Sequence, residues 1–338
     1  MKLGVGLPYT DHVPREMVIE YVRQADRLGF DRVWVAEAYG WDAFTILAEL
    51  ACRTQRIGLA TGIVNVFSRS PALIAQTAGS LDAISGGRFT LGLGTSGHQV
   101  ISGWHGVPFE RGIRRLRETI EIVRMVLRRD RLTYDGEIFK LAGGYKLITH
   151  PLRSEIPIYL ATLTPSGIEL AGEIADGWLP VFFSPAHWNS VIKPPLERGA
   201  AKADRPVSAC SVCVFQSVVV TDDVKAGRDA VRPHLALYIG GMGSRERNYY
   251  NQLFRAYGFD DEAKRIQDLY LEKRKEEAMA ALTDEMIDLV TIIGPAEECR
   301  ERIDLMEKSG VDEMSLALQV PGGDPLTVLA ALKQLAPR

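Results

Sequence analysis

The chemistry-bearing residues of this chain cluster in a few short polar stretches. The most suggestive is "GLGTSGHQ", residues 92–99, where Gly92, Gly94 and Gly97 spell G-x-G-x-x-G beside His98. A dinucleotide site built on that spacing needs a helix opening directly on the last glycine and an acid about 20 residues later at a strand end. Here Gly97 is followed by "HQVISGWHGVPFE" before any expected helix, and the acid near the right distance, Glu118, falls on a helix. Nor do these glycines follow the first strand of a βαβ unit, so a nicotinamide dinucleotide is excluded. The amides of Ser96-Gly97 remain able to approach an anion closely, and Thr164 opens a helix whose N-terminus favours a phosphate. For each alone, a turn-shaping glycine or a capping threonine is an equally good account.

Glu37 interrupts the apolar run "VWVAEAYGW" and is followed by Tyr39 and Trp41. A carboxylate among aromatics can be a hydrogen-bond anchor or an acid with a raised pKa; the alternative is a structural ion pair with a neighbouring arginine. His98 and His105 bracket Trp104, with His98 the better candidate for proton transfer and a solvated imidazole the plainer account of both. Cys210 and Cys213 form a CxxC inside the apolar run "SACSVCVFQSVVV", where side chains three apart point to opposite faces and cannot converge on a metal. The six histidines are scattered without an i, i+4 pair, so no metal site is expected, and no G-x-S-x-G or P-loop is present.

The elements that must position these groups repeat one pattern: apolar strand, polar or Gly-rich loop, capped helix, glycine. "KLGVGLP", "DRVWVAE", "RIGLATGIV", "RFTLGLG", "IPIYLAT", "WLPVFFS", the valine-rich run after Cys210 and "EMSLALQV" read as eight strands, most followed by helix. Alternation of this kind predicts parallel βα units and an α/β fold, and eight of them suit a closed (β/α)8 TIM barrel better than the alternative of a doubly wound sheet with a helical domain. Residues 223 to about 290 hold more helix than one unit needs and are expected to form a helical insertion before strand eight. "LTYDGEIFKLAGG" reads as a small hairpin. The whole, 1–338, is expected to be one domain. The strand ends, where barrel chemistry collects, then carry Glu37, Gly62-Ile63-Val64-Asn65, Thr95-Ser96-Gly97-His98 and Thr162-Leu163-Thr164.

Bulk properties agree with a soluble enzyme. Of 338 residues, 46% are hydrophobic and 25% charged, and the formal charge of −3 leaves no electrostatic footprint for nucleic acid. Arginines do cluster in "RGIRRLRETIEIVRMVLRR", but Ile113, Leu116, Ile120, Val123 and Leu127 recur there at helical spacing, which predicts an amphipathic helix with a hydrated basic face. No signal-peptide core, membrane span or disulfide framework is evident, so a cytoplasmic setting is expected.

"GFDRVWVAEAYGWDAF", "TQRIGLATGIVNVFSRSPALIAQTAGSLDAISGGRFTLGLGTSG" and "EIADGWLPVFFSP" together resemble the luciferase-like monooxygenase superfamily. The resemblance is to its branch of coenzyme F420 (deazaflavin)-dependent oxidoreductases, which includes methylenetetrahydromethanopterin reductase. It implies a barrel with insertions, a homodimer or higher homo-oligomer, and a non-prolyl cis peptide at Gly62-Ile63 against the cofactor ring. It further implies that Asn65 follows the ring edge, that Glu37 takes the place of the acid ending strand two, and that Thr95-Ser96-Gly97 and Thr162-Leu163-Thr164 hold the side chain and its phosphate. Sugar-phosphate dehydrogenases of this branch carry a histidine where this chain has Ala38 and a glutamate where it has Gly97-His98, which argues against glucose-6-phosphate. The implied reaction is hydride transfer between the deazaflavin and a small-molecule C=C, C=O or C=N group. An FMN-dependent monooxygenase of the same superfamily, and a non-catalytic deazaflavin-binding protein, are the alternatives.

Overall fold

A computed structural model describes residues 1–8, 13–319 and 325–337. The chain runs through β1 (Lys2–Gly6), α1 (Arg15–Leu28), β2 (Arg32–Val35), α2 (Ala43–Arg53), β3 (Gly58–Thr61), β4 (Val64–Asn65), α3 (Pro71–Ser85), β5 (Phe89–Gly94) and α4 (Gly112–Leu127). A hairpin of β6 (Leu132–Asp135) and β7 (Lys140–Tyr145) precedes β8 (Ile158–Ala161), α5 (Pro165–Ile174), β9 (Gly177–Trp178), α6 (Lys193–Lys202) and β10 (Ser211–Val220). Then come α7 (Val224–Ala236), α8 (Tyr249–Ala256), α9 (Asp260–Leu271), α10 (Lys275–Ala280), α11 (Asp284–Val290), β11 (Thr291–Gly294), α12 (Ala296–Glu307), β12 (Glu313–Gln319) and α13 (Pro325–Gln334).

Eight parallel positions close into a barrel in the order β1-β2-β3-β5-β8-β9-β10-β12, with β12 returning to β1 and β4 resuming the third position beside β5. Local chemistry sets the phase of each unit. Asp42 accepts the Thr45 N–H at 2.7 Å to start α2, Ser70 accepts that of Leu73 at 3.2 Å to start α3, and Gly29 and Gly86 end their helices at φ +89° and +68°. Alternation then sorts the strands. On β5, Leu91 and Leu93 pack outward against the helices, while Gly92 and Gly94 face the axis. Burial of each such leucine contributes roughly 1.5–3 kcal/mol.

The barrel axis is filled by Trp34, Ala60, Tyr159, Leu179 and Cys213, with Phe215 and Ile63 above them. Its N-terminal end is stopped by Arg32, which pairs with buried Glu313 and lies 5.3 Å from the Trp34 ring; Glu313 also accepts the Trp34 Nε1–H at 3.0 Å. Cys210 sits in the outer layer and Cys213 on the axis, so the two thiols face apart, as strand geometry predicts. Burial pushes the Cys210 thiol up to about 12 and raises that of Cys213 well above its ordinary value.

The basic helix α4 buries Leu116, Ile120, Val123 and Leu127, and Arg117 and Arg124 pair across the surface with Glu173 and Asp176. Its buried Glu118 accepts the backbone N–H groups of Glu137, Ile138 and Phe139 and so pins the hairpin. Burial alone would raise that carboxyl, but the three amides hold it below the usual range.

Between β10 and β11, α7 to α11 share a second apolar cluster that includes Leu235, Ile239, Phe254, Ile266 and Met286 and reaches the barrel through Phe182, Val219 and Ile293. Two features differ from the sequence reading. Residues Thr291–Gly294 form a strand, β11, paired with the C-terminal half of β10; a four-residue segment carries too little periodicity to declare one. The sixth strand shrinks to Gly177–Trp178, with only Val181 bridging to Phe215 beyond Pro180. The end of the eighth strand at Val320, and Asp324 after it, lie outside the described residues.

Candidate active site at the strand ends

At the third position the strand breaks. β3 ends at Thr61, Gly62-Ile63 is a cis peptide, and β4 resumes at Val64, the geometry that the family resemblance implied. The surrounding residues explain why glycine is needed there. A Cβ on Gly62 would lie 2.7 Å from the Phe215 ring, one on Gly92 would lie 1.9 Å from the Thr61 carbonyl oxygen, and one on Gly94 would lie 3.1 Å from the Ile63 side chain. The Thr61 hydroxyl donates to the Gly92 carbonyl and accepts the Gly92 N–H, both at 2.8 Å. The first two glycines of G-x-G-x-x-G therefore let β5 pass close to the bulge. Gly97 differs: an added Cβ would meet only Gln99 Oε1 at 3.8 Å, so its face is open.

The loop after β5 is tighter than the sequence predicts. Ser96 holds φ +57°, Thr95 Oγ1 donates to the Ser96 carbonyl at 3.3 Å, and one wide π-helical turn, Gln99–Trp104, follows His98 at once. A helical turn thus does begin beside Gly97, against the expectation of open loop, but it spans six residues only. His98 is exposed, with its ring edge-on to Phe109 at 6.1 Å; His105 keeps a buried Nε2 without a partner among the described residues.

Glu37 lies beside the bulge, its N–H donating to the Ile63 carbonyl at 3.2 Å. Its carboxylate accepts from both terminal nitrogens of Arg69, at 2.6 and 2.9 Å, and from the Ala43 N–H at 3.0 Å. Arg69 also binds Asp42 and lies 5.3 Å from the Phe44 ring. The ion pair weighed for Glu37 is present, and both carboxylate oxygens are committed to Arg69 and the Ala43 N–H. Burial would raise the Asp42 carboxyl, but Thr45 and Arg69 together keep it low. The sequence reading missed Arg69, whose only signal was an arginine directly before the Ser70-Pro71 cap.

Two buried polar groups near the strand ends lack a partner among the described residues. Asn65 uses its Oδ1 to accept the N–H groups of Phe67 and Ser68, at 3.0 and 2.8 Å, which leaves its buried Nδ2 without a partner among the described residues. Thr162, two strand positions on, has a buried and equally unpartnered Oγ1. Thr164 caps α5 by accepting the Gly167 N–H at 3.2 Å. With Leu163 it edges a mainly apolar cavity of about 260 Å³ that also touches Trp178, Tyr249 and Tyr257. The structure thus brings Glu37, Gly62, Ile63 and Asn65 together around the bulge, with Thr95, Ser96 and Gly97 on the adjacent strand end and Thr162, Leu163 and Thr164 on the next.

Comparison with known proteins gives this geometry a lineage. The luciferase-like monooxygenase family model matches residues 2–313. A Mycobacterium tuberculosis protein provisionally named a coenzyme F420-dependent oxidoreductase is 39% identical, over 93% of this chain and 94% of its own. The 5,10-methylenetetrahydromethanopterin reductase of Archaeoglobus fulgidus is 31% identical, over 90% of this chain and 89% of its own. The solved coenzyme F420 dependent tetrahydromethanopterin reductase from Methanopyrus kandleri has the same fold, with a TM-score of 0.83 at 22% identity over 99% of both chains. The chain belongs to the luciferase-like monooxygenase family.

Proposed function

We propose that this chain is a coenzyme F420-dependent oxidoreductase that exchanges a hydride with a small-molecule C=C, C=O or C=N group. The observation that carries the reading is the buried Asn65 Nδ2 beside the Gly62-Ile63 bulge, which no described residue satisfies. Buried polar groups are rarely left unpaired, and a heteroatom-rich ring edge supplies the acceptor that this amide needs. The Mycobacterium tuberculosis relative, whose name specifies coenzyme F420, supports the deazaflavin over FMN.

When bound, a reduced deazaflavin supplies hydride and not oxygen activation. The protein's residues do the rest. Gly62 and Ile63 form the shelf, backed by Phe215 and Trp34. Asn65 orients what lies on it, while Thr162, packed against Gly167 of α5, belongs to the loop assigned to the cofactor's side chain. Ser96-Gly97, with Thr95, and the capped start of α5 at Thr164 are assigned to the side chain's phosphate, and Leu163 to its apolar part. Glu37, fixed by Arg69, is a positioning residue that holds the Ile63 carbonyl and the strand-two loop. His98, exposed at the rim, is assigned the exchange of the accompanying proton with solvent. We take residues 1–338 as one working unit in a cytoplasmic setting, and as homo-oligomeric, which the family resemblance implies.

The test is turnover. Purified protein with reduced coenzyme F420 should regain 420 nm absorbance when a carbonyl or enone panel is added. Oxygen consumption with FMN and a flavin reductase, and none of this absorbance change, would favour the monooxygenase. Tight cofactor binding without turnover on any compound would favour a carrier.

A further inference from the structure

The helices between β10 and β11 present a wall of aromatic side chains to the strand ends. Pro180 accepts the Phe215 N–H at 2.9 Å and Val181 bridges to Phe215, the residue whose ring backs Gly62. Phe182 comes next, buried, at φ +53°, a conformation rare for a bulky residue. Its ring lies 5.9 Å from His234, 5.4 Å from Tyr238 and 5.9 Å from Tyr250. His234 and Tyr238, four apart, share a helical face with ring centroids 4.5 Å apart, and Tyr250 lies edge-on to Tyr238 at 4.7 Å.

This wall is held rigidly. Asn248 Nδ2 donates to the carbonyls of Tyr238 and Ile239 at 3.0 and 2.9 Å, and Gly240 and Gly241 lie flush against Tyr270. Yet the polar heads that it presents are idle. The His234 ring nitrogens and the hydroxyls of Tyr238 and Tyr250 make no hydrogen bond among the described residues, although all three side chains are only half-buried by surface. Burial nevertheless drives His234 down to about 4 and raises both phenols. The opposite side comes from the strand-two loop, where Tyr39 is close enough to raise Tyr238 further. Charged groups nearby are already engaged: Arg69 with Glu37 and Asp42, Lys275 over the Tyr270 ring at 5.6 Å.

We propose that His234, Tyr238 and Tyr250, backed by the buried Phe182 ring, form the substrate side of the site and take an uncharged, planar, conjugated or aromatic carbonyl compound, whose oxygen the neutral hydroxyl and imidazole groups hold. The assignment deepens the oxidoreductase reading and rests on it. A flat apolar body stacks on the rings, and one acceptor oxygen satisfies the idle donors. A carboxylate or ammonium would lose its hydration against groups that carry no opposite charge, which selects strongly against it.

The test compares acetophenone with 4-acetylbenzoate, the same ketone bearing a carboxylate, by saturation-transfer NMR on the full chain, with and without coenzyme F420. Acetophenone should bind at least about ten-fold more tightly. Tyr238→Phe and His234→Phe should each weaken it about three- to ten-fold, with coenzyme F420 affinity unchanged. Equal or tighter binding of 4-acetylbenzoate, no binding of acetophenone, or no loss in either variant overturns the proposal; the wild-type comparison needs no variant to fold. Failure of coenzyme F420 to bind while acetophenone selectivity persists would remove the oxidoreductase reading alone.

Discussion

The two sides of the barrel mouth are built on opposite principles. On the strand-two side the polar groups are charged and close on one another: Glu37, Arg69 and Asp42 form a triad knitted to the start of α2 and, through the Glu37 N–H, to the bulge. On the insertion side the polar groups, His234, Tyr238 and Tyr250, are kept neutral by burial and make no hydrogen bond among the described residues. Charge fixes the scaffold here, because a paired and half-buried ion pair is costly to break. Neutral idle groups are what an incoming molecule can use, because they lose little until it arrives.

The most damaging change should come from beneath the charged side. Gly92→Ala places a methyl where the Thr61 carbonyl oxygen lies 1.9 Å away, so the barrel must shift at the bulge. We expect a loss of about 3 kcal/mol or more, or no soluble protein, read by chemical denaturation. Glu37→Gln comes next. It leaves Arg69 without its main partner in a site where the two side chains are 16% and 8% exposed, and should cost about 1–3 kcal/mol and several degrees of melting temperature. Full stability with lost turnover would restore the reading of Glu37 as a catalytic acid.

Thr162→Val sharpens the contrast from the other direction. It removes a buried hydroxyl that pairs with nothing described, so stability should hold or rise slightly, while coenzyme F420 affinity falls about three- to ten-fold. A clear stability loss with unchanged cofactor affinity would make Thr162 structural. The gentlest effect is on pH. Burial lowers His234 from 6.5 to about 4, so below 6.5 the unfolded chain binds the proton that the folded chain refuses. His234 therefore subtracts stability as pH falls from 6.5 towards 4, and near neutrality the slope is shallow. His234→Phe should flatten that part of a melting-temperature profile; an unchanged profile would place His234 in open solvent.

Much of the fold was legible because its determinants are local. Asp42, Ser70 and Thr164 cap the helices their sequence positions suggest, and the strand ends of the barrel follow from the alternation alone. The bulge at Gly62-Ile63 entered through family resemblance. What was not legible is tertiary. Arg69 meets Glu37 across 32 residues, and no spacing rule links them. The meaning of Gly92 and Gly94 depends on Thr61 and Ile63 in neighbouring segments, so the motif looked like a phosphate loop while serving close packing. The aromatic wall sits on helices that the sequence placed only as an insertion, since helical content shows that an element exists without showing what its faces meet.

The central claim is that the bulge and the unpartnered Asn65 amide beside it hold a deazaflavin, and direct binding tests it best. The chain should be titrated with coenzyme F420, FMN, NADH and NADPH under one set of conditions, followed by fluorescence. Saturable coenzyme F420 binding at about micromolar affinity, weakened at least about ten-fold by Gly97→Glu and by Thr164→Glu, is the predicted result. Nicotinamide binding of comparable strength, with no response to coenzyme F420, would contradict it.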